Sequence, residues 1–377
     1  MKLLNRFFKK ILPHLQIQNI IIFESHTDFS DNTKVLFNYL VDHNFNQKYK
    51  FIWLVEHPDQ FKHINIPNVT FIQLNPHKFI PYCKMFYYVY RAKFGFFSHR
   101  LPKVKPNHGE TFINLWHGSG LKKTTHVNMS LNVDYIHCSS DFFKKLRIKN
   151  YGYKEDMIQC LGNPRNDLLF SGERDYILET LYGKTYTKYI IWMPTFRKKK
   201  NGTLEFSDQD HCFTFIEFCN NHMESLNEFL MIYDTLIIIK PHPMENYEMI
   251  TGSNFSNINI LTNNNLANKN IELYTLLGNS DALITDVSSV FIDYLLLNKP
   301  IGFVIDGLNN YQYGYHVDNP IDYMPGNLIE NYHDFKDFIE DVIHHRDSYK
   351  QARNETNNLF NEYKNDFSKR IVKYYNL

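Results

Sequence analysis

Asp281-Ala-Leu-Ile-Thr-Asp-Val-Ser-Ser-Val-Phe-Ile-Asp-Tyr-Leu-Leu-Leu-Asn-Lys-Pro300 decides how the chain is organised. Residues 282–285 read as a buried strand, 286–289 as a tight polar loop and 290–298 as a helix. Ser288 or Ser289 supplies the N-cap, and Pro300 ends the helix before a second strand over 301–305. Such a strand–loop–helix–strand unit collects hydroxyls where backbone N–H groups are free. A helix start of this kind attracts phosphate, because its N–H groups and its dipole both favour an anion. Ordinary capping is the competing use of the same two serines.

Strand-like runs alternate with helical stretches on both sides of this segment. Residues 20–23, 51–54, 69–74, 94–98, 111–115 and 134–138 read as strands of a first half. Residues 189–193, 235–240, 258–261, 282–285 and 301–305 read as strands of a second. Alternation with buried, β-rich runs predicts parallel sheets covered on both faces by helices, an α/β fold. The expected division is an N-terminal helix at 1–15, a Rossmann-like domain over 16–175, and a second over 176–377 that ends in polar helices. Ligands of such domains sit at the carboxyl ends of the strands.

The length of 377 residues accommodates two cores of that size. Lys+Arg 41 against Asp+Glu 40 leaves a net charge of +1, so nucleic acid is not an expected partner. Cys83, Cys138, Cys160, Cys212 and Cys219 are scattered without a Cys-x-x-Cys pair, so neither a zinc site nor a disulfide framework is indicated. No apolar run is long enough to span a bilayer. At the N-terminus, Leu3, Leu4, Phe7, Phe8, Ile11 and Leu12 recur at helical spacing opposite Lys2, Arg6, Lys9 and Lys10. The segment lacks the uninterrupted apolar region and cleavage site of a signal peptide. It suits either an anionic membrane surface or docking on its own core.

Four polar clusters follow expected strands: His117-Gly-Ser-Gly-Leu-Lys-Lys-Thr124, Pro194-Thr-Phe-Arg197, Lys240-Pro-His-Pro243 and Asp286-Val-Ser-Ser289. A single His or Arg after a strand carries no message; together the clusters supply His, Arg, Lys and hydroxyls. That set suits phosphoryl or glycosyl transfer from an activated donor. Arg and Lys neutralise phosphate oxygens. Gly118 and Gly120 admit a close backbone approach. A His of near-neutral pKa takes a proton from an attacking hydroxyl. Asp208-Gln-Asp210 spells the Asp-x-Asp of metal-dependent sugar transferases, but it closes no strand and reads as loop. Nearby Lys198-Lys-Lys-Asn-Gly202 reads as a basic loop.

Trp116-His-Gly118, Gly162-Asn-Pro-Arg-Asn-Asp167, Pro194-Thr-Phe-Arg197, Lys240-Pro-His-Pro243 and Thr285-Asp-Val-Ser-Ser-Val-Phe-Ile-Asp293 together resemble the CDP-glycerol:glycerophosphotransferase family of teichoic-acid and capsule enzymes. Ser25 and the run Ser30-Asp-Asn32 resemble its first strand and loop. The resemblance implies a GT-B fold, two Rossmann-like domains facing a central cleft. It implies transfer of a polyol phosphate from CDP-glycerol or CDP-ribitol to a lipid-linked or polymeric glycan acceptor, releasing CMP. By motif position His117 is the expected base, and His242 joins it as a catalytic-site residue. Arg197, Ser288, Ser289 and His242 are the expected donor-phosphate ligands, with Thr285 beside them and Gly118, Lys240, Asp286 and Asp293 in support. No metal and no cofactor are expected, the CDP-polyol being a substrate. The expected location is cytoplasmic, on the inner face of the bacterial cell membrane. The chain departs from many relatives in reading His-Gly-Ser-Gly at His117. Two readings compete: a nucleotide-sugar glycosyltransferase of the same architecture, and a non-catalytic membrane-surface assembly subunit.

Overall fold

The computed structural model describes residues 16–76, 78–98, 109–123, 132–194, 215–241, 255–305, 308 and 314–377. The expectations for the helix at 1–15, for Arg197 and His242, for the basic loop at 198–202, and for Asp208 and Asp210 fall outside these residues. The chain forms two compact units. The first is Met1–Ser119, His126–Asp167 and Glu362–Leu377; the second is Gly120–Thr125 and Leu168–Asn361. The change of unit therefore comes at Asp167/Leu168, ahead of the expected 175/176. The last sixteen residues, expected in the second domain, belong to the first.

The first unit is built on a seven-stranded sheet of β1 (Gln18–Glu24), β2 (Lys50–Val55), β3 (Val69–Gln73), β4 (Ala92–Phe97), β5 (Thr111–Asn114), β6 (Tyr135–Cys138) and β7 (Ile158–Cys160). Their order is β3-β2-β1-β4-β5-β6-β7, and every pairing is parallel. The second unit holds β8 (Lys188–Met193), β9 (Thr235–Ile239), β10 (Ile258–Ile260), β11 (Ala282–Thr285), β12 (Ile301–Val304) and β13 (Asn327–Ile329). Their order is β10-β9-β8-β11-β12-β13, again all parallel. Both sheets thus contain the Rossmann order 3-2-1-4-5-6. The eleven expected strands all form; β7 and β13 were not expected, and at three residues each they are too short to carry a hydrophobic period.

Burial explains the strands. Ile21, Ile22 and Phe23 are fully buried, as are Ile190, Ile191, Leu283 and Ile284, as runs covered on both faces require. The first core is aromatic. Phe23, Phe37, Phe51, Trp53, Phe94 and Phe96 interlock, with Phe23 stacked on Trp53 at 5.4 Å and edge-on to Phe37 at 5.5 Å. Rings at these separations contribute about 0.5–1.5 kcal/mol per pair beyond the area they bury. Ile371 and Tyr375, near the chain's end, complete that core. The second core packs Ile190, Trp192, Ile237 and Ile284 against Phe335, Phe338 and Ile339 of helix Tyr332–Ile343.

The C-terminal helix Phe367–Tyr374 is fastened by the Gly162–Asp167 run. The two carboxylate oxygens of Asp167 accept the backbone N–H groups of Phe367 and Ser368, each at 2.8 Å. A carboxylate on free N–H groups at a helix start is favoured by hydrogen bonding and by the dipole. Gly162 has φ +76°, and a Cβ there would lie 2.4 Å from the Phe367 ring, so only glycine lets the two segments close.

His137 makes this junction sensitive to acid. It is fully buried, its Nε2 lies 2.8 Å from the Tyr375 hydroxyl, and burial pushes its pKa down to about 3 from 6.5, with Arg147 adding to the effect. Between those values the unfolded chain binds a proton that the folded chain refuses, so stability falls as pH drops from 6.5 towards 3. One such group gives a slope of at most about 1.4 kcal/mol per pH unit. Urea melts at pH 7 and pH 5 should show a smaller loss on acidification for His137→Gln than for wild type; an equal loss would assign the acid sensitivity elsewhere.

Candidate active site

In the second unit the strand order reverses between β8 and β11, the point where open α/β sheets bind ligands. β8 ends at Met193 and β11 at Thr285, which are register partners. The buried Thr285 hydroxyl donates to the Met193 carbonyl at 2.8 Å and ties the two strand ends together. Asp286, Val287 and Ser288 form the turn, and helix Ser289–Tyr294 follows, continuing as a 3₁₀ turn over Leu295–Leu297. Ser288 is the N-cap by backbone geometry, at φ −86° and ψ 146°, but its hydroxyl makes no capping hydrogen bond. The capping use of this serine is therefore not realised in the structure. Ser288 and Ser289 are half-buried at the open end of the strand.

Two lysines stand at this carboxyl end of the sheet. Lys240 follows β9 next to β8; its N–H donates to the Trp192 carbonyl at 2.8 Å and its Nζ to the Pro241 carbonyl at 3.2 Å. It is buried, and that burial pushes its pKa down to about 8. The second is Lys122, which belongs to the polar cluster after β5 but is not set apart there from Lys123. It lies in the short segment that packs with the second unit: His316 N–H donates to the Leu121 carbonyl at 2.7 Å and Lys123 N–H to the Gly314 carbonyl at 3.0 Å. Lys122 pairs with Tyr315 as an isolated antiparallel bridge, and its Nζ lies 4.0 Å from Asp286 Oδ1. A Cβ on Gly120 would sit 3.7 Å from Ser289 Cβ, so this segment runs against the serine pair. Cations and hydroxyls at a switch point form a surface suited to the oxygens of a diphosphate. Asp293 serves the helix instead. Buried one turn in, it accepts the Tyr274 hydroxyl at 2.6 Å and holds the helix down.

In the first unit His117 follows β5 at the end of a turn. It is half-buried, and its ring stacks on Trp116 with centroids 4.8 Å apart. Trp116 has φ +61° and Gly118 φ +116°, both left-handed. The Trp116 N–H donates to Asn114 Oδ1 at 2.8 Å, and its carbonyl accepts from Asn32 Nδ2 at 2.8 Å. Ser119 Oγ accepts from Ser139 N–H at 3.3 Å and closes the turn onto the residue that follows β6. The structure thus gathers Thr285, Asp286, Ser288, Ser289 and Lys240 along one sheet edge of the second unit, and puts His117 and Gly118 on a shaped turn of the first.

Two units with parallel sheets in Rossmann order and polar turns at the strand ends define a transferase fold of the GT-B class. The solved wall teichoic acid polymerase TagF has this architecture, with a TM-score of 0.74 over 99% of this chain and 93% of its own, at 19% identity. The family model of CDP-Glycerol:Poly(glycerophosphate) glycerophosphotransferase matches residues 7–375, and the chain belongs to that family of enzymes. Among similar proteins, the teichoic acid glycerol-phosphate transferase of Staphylococcus aureus is 26% identical over 378 residues, covering 91% of this chain and 89% of its own. The teichoic acid poly(ribitol-phosphate) polymerase of Bacillus spizizenii is 25% identical over 255 residues, covering 63% of this chain and 36% of its own.

The burial of Lys240 gives a test that separates stability from function. A cation held in a dry site by a carbonyl costs the fold free energy. Lys240→Met should hold or raise Tm, while turnover falls on the order of 10-fold or more through loss of a charge-assisted contact to the donor. A clear drop in Tm with unchanged turnover would make Lys240 a structural residue.

Proposed function

We propose that this enzyme transfers a glycerol phosphate or ribitol phosphate unit from the matching CDP-polyol to a hydroxyl of a teichoic-acid or capsular glycopolymer, or of its lipid-linked precursor, with release of CMP. The observation that carries the reading is the Thr285–Ser289 turn at the switch point, with Lys122 beside it and Lys240 at the end of β9, in a chain of the glycerophosphotransferase family. His117 takes the proton from the acceptor hydroxyl. The hydroxyl oxygen then attacks the phosphorus that bears the polyol, and the bond from that phosphorus to the bridging oxygen breaks. The electron pair leaves with CMP. Ser288 and Ser289, with Arg197 and His242 by motif position, hold the diphosphate oxygens. Thr285 fixes the strand ends beneath them. No cofactor takes part, since these side chains supply the cations and hydroxyls that the departing phosphate needs.

CMP release from CDP-glycerol and from CDP-ribitol, with UDP-sugars as controls, tests the reading. One of the two CDP-polyols should be turned over, also in the presence of a chelator. His117→Ala should lose on the order of 10²-fold or more in turnover. Arg197→Ala and His242→Ala should weaken donor use severely. UDP release from a sugar nucleotide, with no CMP release, would move the chain to the glycosyltransferases.

The same proposal places the enzyme at the inner membrane surface, where lipid-linked acceptors meet a soluble donor. The basic apolar run at 1–15 supports this, and so does helix Phe79–Val89, whose Phe79 and Ile80 are 61% and 77% exposed. Residues 75–109 hold seven Lys and Arg and no Asp or Glu, in a chain of net charge +1. Arg91 of this basic stretch donates its Nε proton to the carbonyl of Gln16, which follows the 1–15 run in sequence. No helix among the described residues is long and apolar enough to cross a membrane. Basic side chains near an anionic surface contribute about 1 kcal/mol each. Co-sedimentation with anionic phospholipid vesicles should therefore weaken with salt and fall further in Phe79→Ser/Ile80→Ser; vesicle binding that ignores salt and both serines would overturn this location.

A further inference from the structure

We infer that Asn32 is a positioning residue for His117, fixing the Trp116–His117 peptide as the junction of a hydrogen-bonded chain that begins at the C-terminal helix. The inference rests on His117 acting as the base. Trp116 stands at φ +61°, a region that bulky side chains seldom enter and that persists only where the surroundings impose it.

The surroundings do so from several sides. Asn114 Oδ1 holds the Trp116 N–H and Asn32 Nδ2 holds its carbonyl, each at 2.8 Å. The indole lies under the Arg147 guanidinium at 4.6 Å, and Arg147 is itself anchored by a 2.6 Å hydrogen bond to the His137 carbonyl. The His117 ring stacks on the same indole. Because a peptide is planar, fixing the Trp116 carbonyl also fixes the His117 N–H and the direction in which His117 leaves the backbone.

Asn32 is fully buried and has both ends of its amide engaged. Its Oδ1 accepts the Arg165 N–H at 3.0 Å, while the Arg165 guanidinium pairs with Asp31 at 2.9 Å. Two residues on, Asp167 grips the start of helix Phe367–Tyr374. A second route runs from Tyr375 through His137 and Arg147 to the face of Trp116. The Ser30-Asp-Asn32 and Gly162–Asp167 runs, which the donor chemistry leaves unexplained, thus meet at the turn that carries His117. Only an amide of this size offers a donor to one partner and an acceptor to the other. Aspartate would set an oxygen against the Trp116 carbonyl.

The test is a double-mutant cycle on the full chain, read as CMP release from the accepted CDP-polyol. Asn32→Asp should lower kcat on the order of 10- to 100-fold, as a small misplacement of a reacting group does, with KM for the donor little changed. In the His117→Ala background the same substitution should cost nothing further, since a displaced base that is already absent cannot be displaced again. A residue that merely supports the fold would lower both backgrounds by one factor. If Asn32→Asp does not fold, Asn32→Ala is read through the same cycle. Losses that multiply in the double variant, or wild-type kcat in the single, overturn the positioning role alone. Wild-type turnover by His117→Ala would instead remove the base assignment, and this inference with it.

Discussion

All pairings in both sheets are parallel, and the rest of the molecule depends on that constraint. Parallel strands release all their carboxyl ends at one edge, so the polar turns that follow them accumulate on one side of each unit. Where the order reverses, between β8 and β11, lies the point at which open α/β sheets bind their ligands. Thr285 spans this point with a single hydroxyl, bonded to Met193 of the adjacent strand. The serines beyond it then stand at a helix start with their hydroxyls uncommitted to capping. Topology and one side-chain bond thus bring two serine hydroxyls to the switch point.

Charge in this region is distributed with care. Lys240 is dry and close to losing its proton near neutrality, while Lys122 keeps partial access to water and sits near the Asp286 carboxylate. A buried amine is a strong partner for an anion because little water competes for it. Its cost to the fold is accepted where an anion is to be met.

Those parts of the site that follow strands were legible in the sequence. A buried apolar run leading into Asp286-Val-Ser-Ser289 or Lys240-Pro-His-Pro243 announces the strand and the polar stretch that follows it, and all eleven expected strands formed. What could not be read depends on contacts between distant residues. Asn32 and Arg165 are 133 positions apart, and nothing local in Ser30-Asp-Asn32 says that its amide reaches the Trp116 carbonyl. Lys122 sits in the polar cluster after β5 with nothing to set it apart from Lys123; only the pairing of its backbone with Tyr315 brings it to Asp286. The polar look of the last residues suggested a terminal addition to the second unit. Ile371 and Tyr375 are few among many charged neighbours, yet they fill the first core.

That return of the chain has a consequence for biosynthesis. The first unit draws on residues before the second unit and on Glu362–Leu377 after it, so a nascent chain that has exposed all of the second unit still lacks Phe367, Ile371 and Tyr375. Until those residues emerge, Asp167 has no helix to hold and the aromatic core lacks Ile371 and Tyr375. The second unit, apart from its short segment at Gly120–Thr125, is continuous and has no such wait. The second unit is therefore free to mature before the first, whose core waits for the return of Phe367, Ile371 and Tyr375.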